Sequence, residues 1–496
     1  MSVDPTRTPV LVGIGQSIER DAITSAVQLA TRASDAAFVD APGLREKIQR
    51  LSLVGISFSP VGAAPASEIA GSLGLRDTEC ETTTAGGHTP QWLINRACEQ
   101  IAKGELETTL IVGAEATRSM KLADPDQDFL LMATQRDSKG EGPKDTVVGT
   151  SVRGLVGKAL GEAGLLRPAE VYAVFENARA AKTGASPAET RARIATFYSR
   201  GSERAAKNPY AWFQKVRTAD EIAEPSPANR TTAEPYTLRM NSFANVDQGA
   251  ALLVTTLASA RACGLEDQCV YPWAGASSRE LTPAQRPDLA ASPAIRAAAS
   301  ATFLAAGIGI DDVDFIDLYS CFPIAVEIGA AEIGLSLDDP RGLTQAGFMS
   351  FFGGPGNNYA SHGIAAVALR LRESGRFGYA SGNCGLLSKH SIGIYGSKAP
   401  PQGFVVGDTS TAQQALEGAA LEVALEADGS ATVAAGTVVY GRDGAPKAAP
   451  VIADLPDGRR IVARASDETL ANVGGGPPLE GKSVRVSGAH PPVYTL

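Results

Sequence analysis

Four histidines occur in the 496-residue chain, at positions 88, 362, 390 and 490, and three of them stand in or beside glycine-rich stretches: AGGHTPQW (85–92), GGPGNNYASHG (353–363) and SGNCGLLSKHS (381–391). Imidazole moves protons near neutral pH, and a thiol beside it becomes a nucleophile or base once its pKa is lowered. Glycine lets backbone N–H groups approach a substrate oxygen closely. These types mark His88, His362, His390 and Cys384 as candidate catalytic residues, and Gly86-Gly87 as a turn that polarises a carbonyl or holds an oxyanion. Asn358, Tyr359 and Gly385 are candidate substrate-binding residues in the other two stretches. The segment DLYSCFP (317–323) adds Tyr319, whose phenol is a candidate proton donor. Each has a plainer reading. His88 solvates a turn, His362 supports a helix start, His390 opens a strand, Tyr319 packs, and Cys384 is a small core residue. Cys321 and the four other cysteines read as core, and His490 as incidental.

The elements that must carry these residues follow from pattern. PVLVGIG (9–15) and RLSLVGISF (50–58) read as strands around a helix at 22–37, and 79–84 as a further strand entering the Gly-Gly turn. The spacing predicts a helix over 89–103, with Thr89 as N-cap, Pro90 at the first helical position and Gly104 closing it. TTLIVGAEA (108–116) is the uninterrupted apolar run of a strand covered on both faces. A charged, Pro- and Ser/Thr-containing excursion from about 118 to 240, with a helix at 187–198, precedes a second series: strands at 245–256, 270–277 and 314–319, helices at 294–306, 323–333 and 361–372, then strands near 376–382 and 391–396. Glycine-rich turns at strand–helix junctions are where open α/β bodies bind ligands, so the three stretches are expected to converge on one cleft. After residue 403, three Asp-Gly pairs (428–429, 443–444, 457–458) between β-branched runs predict hairpins and a small antiparallel barrel of OB type.

Composition narrows the function classes. Hydrophobic residues are 44%, charged 20% and aromatic 6%, with 45 basic and 54 acidic residues for a net charge of −9. No basic run or aromatic-rich basic face invites nucleic acid. No apolar stretch approaches a membrane span and no leader pattern opens the chain, so a cytoplasmic location away from membranes is expected. The scattered cysteines form no zinc spacing, and no metal or covalently bound cofactor is expected.

The order of segments resembles the thiolase superfamily, in its group related to sterol-carrier-protein-type thiolases. QWLINRACEQIAKGELETTLIVGAEATRS (91–119) resembles the helix and strand after the thiolase nucleophile, and NSFANVDQGAALLV (241–254) the NSSxxxDGAAAxxL strand. DLYSCFP is similar to the HDCF variant of the NEAF motif, GGPGNNYASHG lies where GGxxxxGHPxGxxG belongs, and GNCGLLS (382–388) lies near the CxG motif. The resemblance implies an α/β thiolase fold of five layers, αβαβα, in two related βα halves. Residues 1–117 with 241–265 and residues 266–402 form the halves, 118–240 the inserted loop domain over a coenzyme A site, and 410–496 a six-stranded antiparallel barrel.

The departures carry the functional expectation. The nucleophilic cysteine's place falls at about Gly87, and Tyr319 and Ser320 replace the histidine and aspartate of HDCF. His362 stands about two residues after the GHP histidine's place, while Cys384 is the match for the CxG cysteine. An ordinary ping-pong thiolase is thereby excluded. What remains is an acyltransferase or carbon–carbon bond-forming or -cleaving enzyme on acyl-CoA thioesters, in which Tyr319, Tyr359, His88 or His362 moves protons and Cys384 or His390 is the base. A retro-aldolase of a β-hydroxyacyl-CoA and a non-catalytic acyl-CoA or lipid-binding protein are the alternatives, and both a homodimer and a monomer are open.

Overall fold

Two stacked sheets enclose a pair of buried helices in this computed structural model, which describes residues 3–126, 145–151, 154–165, 167–474, 478–488 and 491–496. The first sheet runs in the order Pro9–Ile18, Asp247–Thr256, Thr108–Ala116, Arg50–Leu53, Glu79–Thr83, Thr146–Val148. Asp247–Thr256 is antiparallel to both of its neighbours, and the remaining pairs are parallel. Every residue of Thr108–Ala116 is buried, as its unbroken apolar run requires. The second sheet has the order Phe315–Asp317, Phe377–Cys384, Lys389–Gly396, Tyr271–Arg279, Val405–Val406.

Helices Thr89–Lys103 and Tyr359–Glu373 lie between the sheets. Their Leu93, Ile94, Ile101, Ile364, Val367 and Leu371 share one apolar cluster with Ile111 and Leu252 of the first sheet and Ala380 and Tyr395 of the second. Ala26–Asp40 and Pro65–Ser72 cover the first sheet outside, and Pro293–Ala306 and Pro323–Glu332 cover the second. The result is the five-layered thiolase fold. Two sequence expectations change at the helix starts. His88, not Thr89, occupies the N-cap position, because the Thr89 hydroxyl donates instead to Gly86 O at 2.6 Å. The second buried helix begins at Tyr359 rather than 361, which places Tyr359 and His362 inside its first turn.

The chain leaves the first sheet after Ala116 and returns at Asp247, carrying helices Pro168–Thr183, Pro187–Ala206 and Ala219–Ala223. One piece of this excursion is not a cover at all. Thr146–Val148 pairs in parallel with Glu79–Thr83, so the backbone of that strand is satisfied by the chain itself and not left as an open edge.

Beyond residue 403 the expected barrel is present, with two differences from the hairpin reading. Five strands close it (Arg460–Ala465, Val451–Asp454, Gly429–Gly436, Ser483–Ser487, Val493–Thr495), and the closing pair is parallel; the sixth, Val423–Ala424, joins from outside. Asp457-Gly458 and Asp443-Gly444 sit in hairpins, but Asp428-Gly429 links strands that are not neighbours. The Asp443-Gly444 hairpin leaves the barrel and forms a four-stranded sheet with Thr231–Ala233 and Tyr236–Thr237 of the insertion. His490 lies outside the described residues. Among the described residues no helix is long and apolar enough to cross a membrane.

Candidate functional site

The strand Glu79–Thr83 feeds the Gly86-Gly87 turn at the start of helix Thr89–Lys103, against the C-terminal end of Phe377–Cys384. Gly86 has φ +154, a conformation open to glycine and closed to most side chains. A Cβ there would meet His88 Nδ1 at 2.6 Å and Cys384 Sγ at 2.8 Å, so turn, imidazole and thiol are packed around one point. The turn is held from the opposite half of the fold. Asn357 Oδ1 accepts the Gly86 N–H at 2.8 Å, and Asn357 Nδ2 donates to Gly55 O and to Ser57 Oγ. Asn357 thus takes the Gly86 N–H that the sequence reading offered to a substrate oxygen. Gly87 N–H is directed at the Cys384 sulfur.

Tyr319 follows the strand Phe315–Asp317 and reaches the same turn. A Cβ on Gly87 would overlap the Tyr319 hydroxyl oxygen, and would stand 2.5 Å from its Cζ and 2.6 Å from Asn383 O. The phenol therefore fills the space of the side chain that Gly87 lacks. Burial, reinforced by Cys321, Cys384 and Tyr359, pushes its pKa well above 10. Its ring stands edge-on to Tyr359 with centroids 5.7 Å apart.

Cys384 ends its strand and faces Lys389 across the hairpin. Burial raises its thiol to about 11, although Lys389 and the Gly87 N–H pull the other way, and Cys321 is raised to about 12. Burial thus disfavours the thiolate, the form in which a cysteine acts as nucleophile or base. His88 and His390 are held neutral, each with its pKa lowered to about 3, chiefly by burial and secondarily by the cations around them. Since Leu387 O only accepts, His390 Nε2 carries the proton in their 3.2 Å contact.

His88, Tyr319, Cys384 and His390 thus come together with Gly86 and Gly87. The remaining candidates do not join them as free groups. His362 is fully buried against Phe352, donates from Nδ1 to Gln16 Oε1 at 2.7 Å, and has its pKa lowered to about 3 by burial alone. Asn358 donates to Gly113 O and accepts from Ser361, while the Tyr359 hydroxyl donates to Gly347 O at 2.7 Å. Gly385, with φ +65, offers its carbonyl to the Tyr172 hydroxyl at 3.0 Å. These partners tie two expected binding residues, Asn358 and Tyr359, into the scaffold.

Four neighbours escaped the sequence reading. Asn357 was one residue from the asparagine singled out, and Lys389 adjoined His390 in the same motif. Asn383, whose Oδ1 is buried without a partner, donates to the Tyr172 hydroxyl at 3.0 Å and to Cys321 Sγ. Tyr172 comes from the inserted helix Pro168–Thr183, accepts the Leu387 N–H at 3.1 Å and stacks on Phe322. No local signal marks it, because only docking of the insertion brings it here. Beside Tyr319, Asn383 and His390 lies a small cavity of about 20 Å³.

Residues 411–489 match the family described as thiolase-like protein type 1 additional C-terminal domain. No curated protein sequence matches the chain. Among solved structures, a monomeric SCP2-thiolase-like protein type 1 from Mycobacterium smegmatis is similar over 100% of both chains, with 32% identity and a TM-score of 0.85. The Ltp2-ChsH2(DUF35) aldolase is similar over 79% of this chain and 98% of its own, at 19% identity and TM-score 0.60. Human mitochondrial 3-ketoacyl-CoA thiolase, solved in complex with CoA, is similar over 79% and 99%, at 15% identity and TM-score 0.54. The latter two show the fold alone.

Proposed function

The chain belongs to the SCP2-thiolase-like proteins of type 1, and on that footing we propose that it binds acyl-CoA thioesters without forming an acyl-enzyme. The observation that carries the reading is the Tyr319 hydroxyl, seated where a side chain on Gly87 would be. A cysteine has neither the position nor the room to attack a thioester there. The rest of the site supports the same reading. Cys384 and Cys321 are protonated, the nearby imidazoles are neutral and packed, and Gly86 N–H is taken by Asn357.

A second reading rests on the same phenol. In a retro-aldol cleavage the bond between the α and β carbons of a β-hydroxyacyl-CoA breaks, the β-hydroxyl proton leaves to a base, and the thioester enolate takes a proton from an acid. Tyr319, kept protonated by burial, would give that proton, and the neutral His88 would accept the β-hydroxyl proton.

Calorimetric titration with acyl-CoA and β-hydroxyacyl-CoA esters, followed by intact-mass and product analysis, separates the readings. Saturable binding with unchanged protein mass and unchanged ester is the expected result. An acyl adduct on Cys384 overturns the proposal, and release of an aldehyde or ketone without an adduct replaces it by the retro-aldol reading. Absence of any binding overturns both.

A further inference from the structure

At the start of helix Thr89–Lys103 lies an open cleft of about 280 Å³, whose lining includes His88, Thr150, Arg279, Lys389 and His390. Among the described residues its lining contains two cations, Arg279 and Lys389, and no carboxylate. Glu417, the ion-pair partner of Arg279 at 3.0 Å, stands outside the lining. Lys389 Nζ donates to the carbonyls of Thr150 and Ser151, and among the described residues no carboxylate pairs with its charge. Arg279 and Lys389 occupy paired positions on adjacent antiparallel strands, where like charges repel. The sequence places them there at the cost of that repulsion, with the neutral His88 and His390 as the other titratable lining groups. A negative ligand between the two cations would turn the arrangement from repulsive to attractive.

We propose that this cleft binds a small oxyanion-bearing ligand, a carboxylate or a phosphate, between Lys389 and Arg279. The proposal does not rest on the acyl-CoA reading, because it needs no thioester, although His88 and His390 line this cleft as well as the turn. Lys389 is the buried anchor and Arg279 the solvent-side one. The volume suits a ligand of a dozen or so heavy atoms, below the span of a drug-sized pocket.

Histidine resonances test it directly, since His88 and His390 line the cleft and His362 does not. In the full-length protein with ¹⁵N-labelled histidine, titration with inorganic phosphate and, separately, with succinate is followed at constant ionic strength set by chloride. The expected result is a saturable shift of the His88 and His390 signals with at least one of the two anions, and an unmoved His362 signal. R279Q weakens binding by about fivefold and K389Q abolishes it. Whichever anion saturates identifies the oxyanion. Absence of a saturable shift with both anions, an equal response to chloride alone, or undiminished affinity in R279Q overturns the proposal. R279Q, at an exposed position, decides the matter even if K389Q fails to fold.

Discussion

If Tyr319 truly fills the space of a missing side chain, Gly87→Ala must be expensive in a way that depends on that ring. The new Cβ would stand 2.5 Å from Tyr319 Cζ and 2.6 Å from Asn383 O, against roughly 3.5 Å for an ordinary carbon contact. Both neighbours belong to a packed interior, so the overlap is relieved only by displacing the phenol and the strand carrying Asn383. Overpacking of this kind costs about 3 kcal/mol. Tyr319→Ala empties the opposing volume and costs about 4 kcal/mol by itself. In the double variant the alanine Cβ enters space the ring has vacated, while the Asn383 carbonyl still resists. The double variant should therefore lose about 2 kcal/mol less than the two single losses together. Urea unfolding of the four proteins, analysed as midpoint shifts at a common slope, measures the coupling. Additivity within about 0.5 kcal/mol would refute the argument, since it would mean that Gly87 and Tyr319 do not compete for one space.

Other consequences follow from the same coordinates. His362 has a folded pKa of about 3 against the usual 6.5, so below pH 6.5 the unfolded chain binds a proton that the folded one refuses. Stability carried by this group is complete above pH 6.5 and falls toward pH 3; His362→Gln should flatten the stability-versus-pH slope near pH 5 by about 1.4 kcal/mol per unit, and an unchanged slope contradicts it. Asn357→Ala removes the acceptor of the Gly86 N–H and the donor to Gly55 O; it should cost about 3 kcal/mol and speed amide exchange at Gly86, and exchange as slow as in the wild type would rule out the clamp. Native thiol titration at pH 8 should modify Cys263, which is half-buried, before Cys384 and Cys321, and rapid early loss of Cys384 by mass mapping would contradict a thiol raised to about 11. Light scattering should give a monomer, because Thr146–Val148 already pairs with the strand Glu79–Thr83; a stable dimer would show that another face joins two copies.

The strand Thr108–Ala116 was legible to the residue and the helix Thr89–Lys103 to within one residue at its cap, because Pro90, Gly104 and an unbroken apolar run are strong local signals. The barrel was legible through its Asp-Gly turns, yet Asp428-Gly429 misled, since the turn signal says nothing about which strands become neighbours. At the site, the sequence by itself determined the residue types: a pair of glycines, with histidines and thiols in adjoining turns. It could not determine their state. Desolvation and hydrogen bonding depend on what the rest of the chain packs against each group. The insertion brings Tyr172 onto the Gly385–Leu387 turn, Asn357 takes the Gly86 N–H, and Tyr319 closes over Gly87. Tertiary structure alone made these contacts between distant stretches, and through them it converted a set of reactive residue types into a buried, neutral and tightly filled cluster.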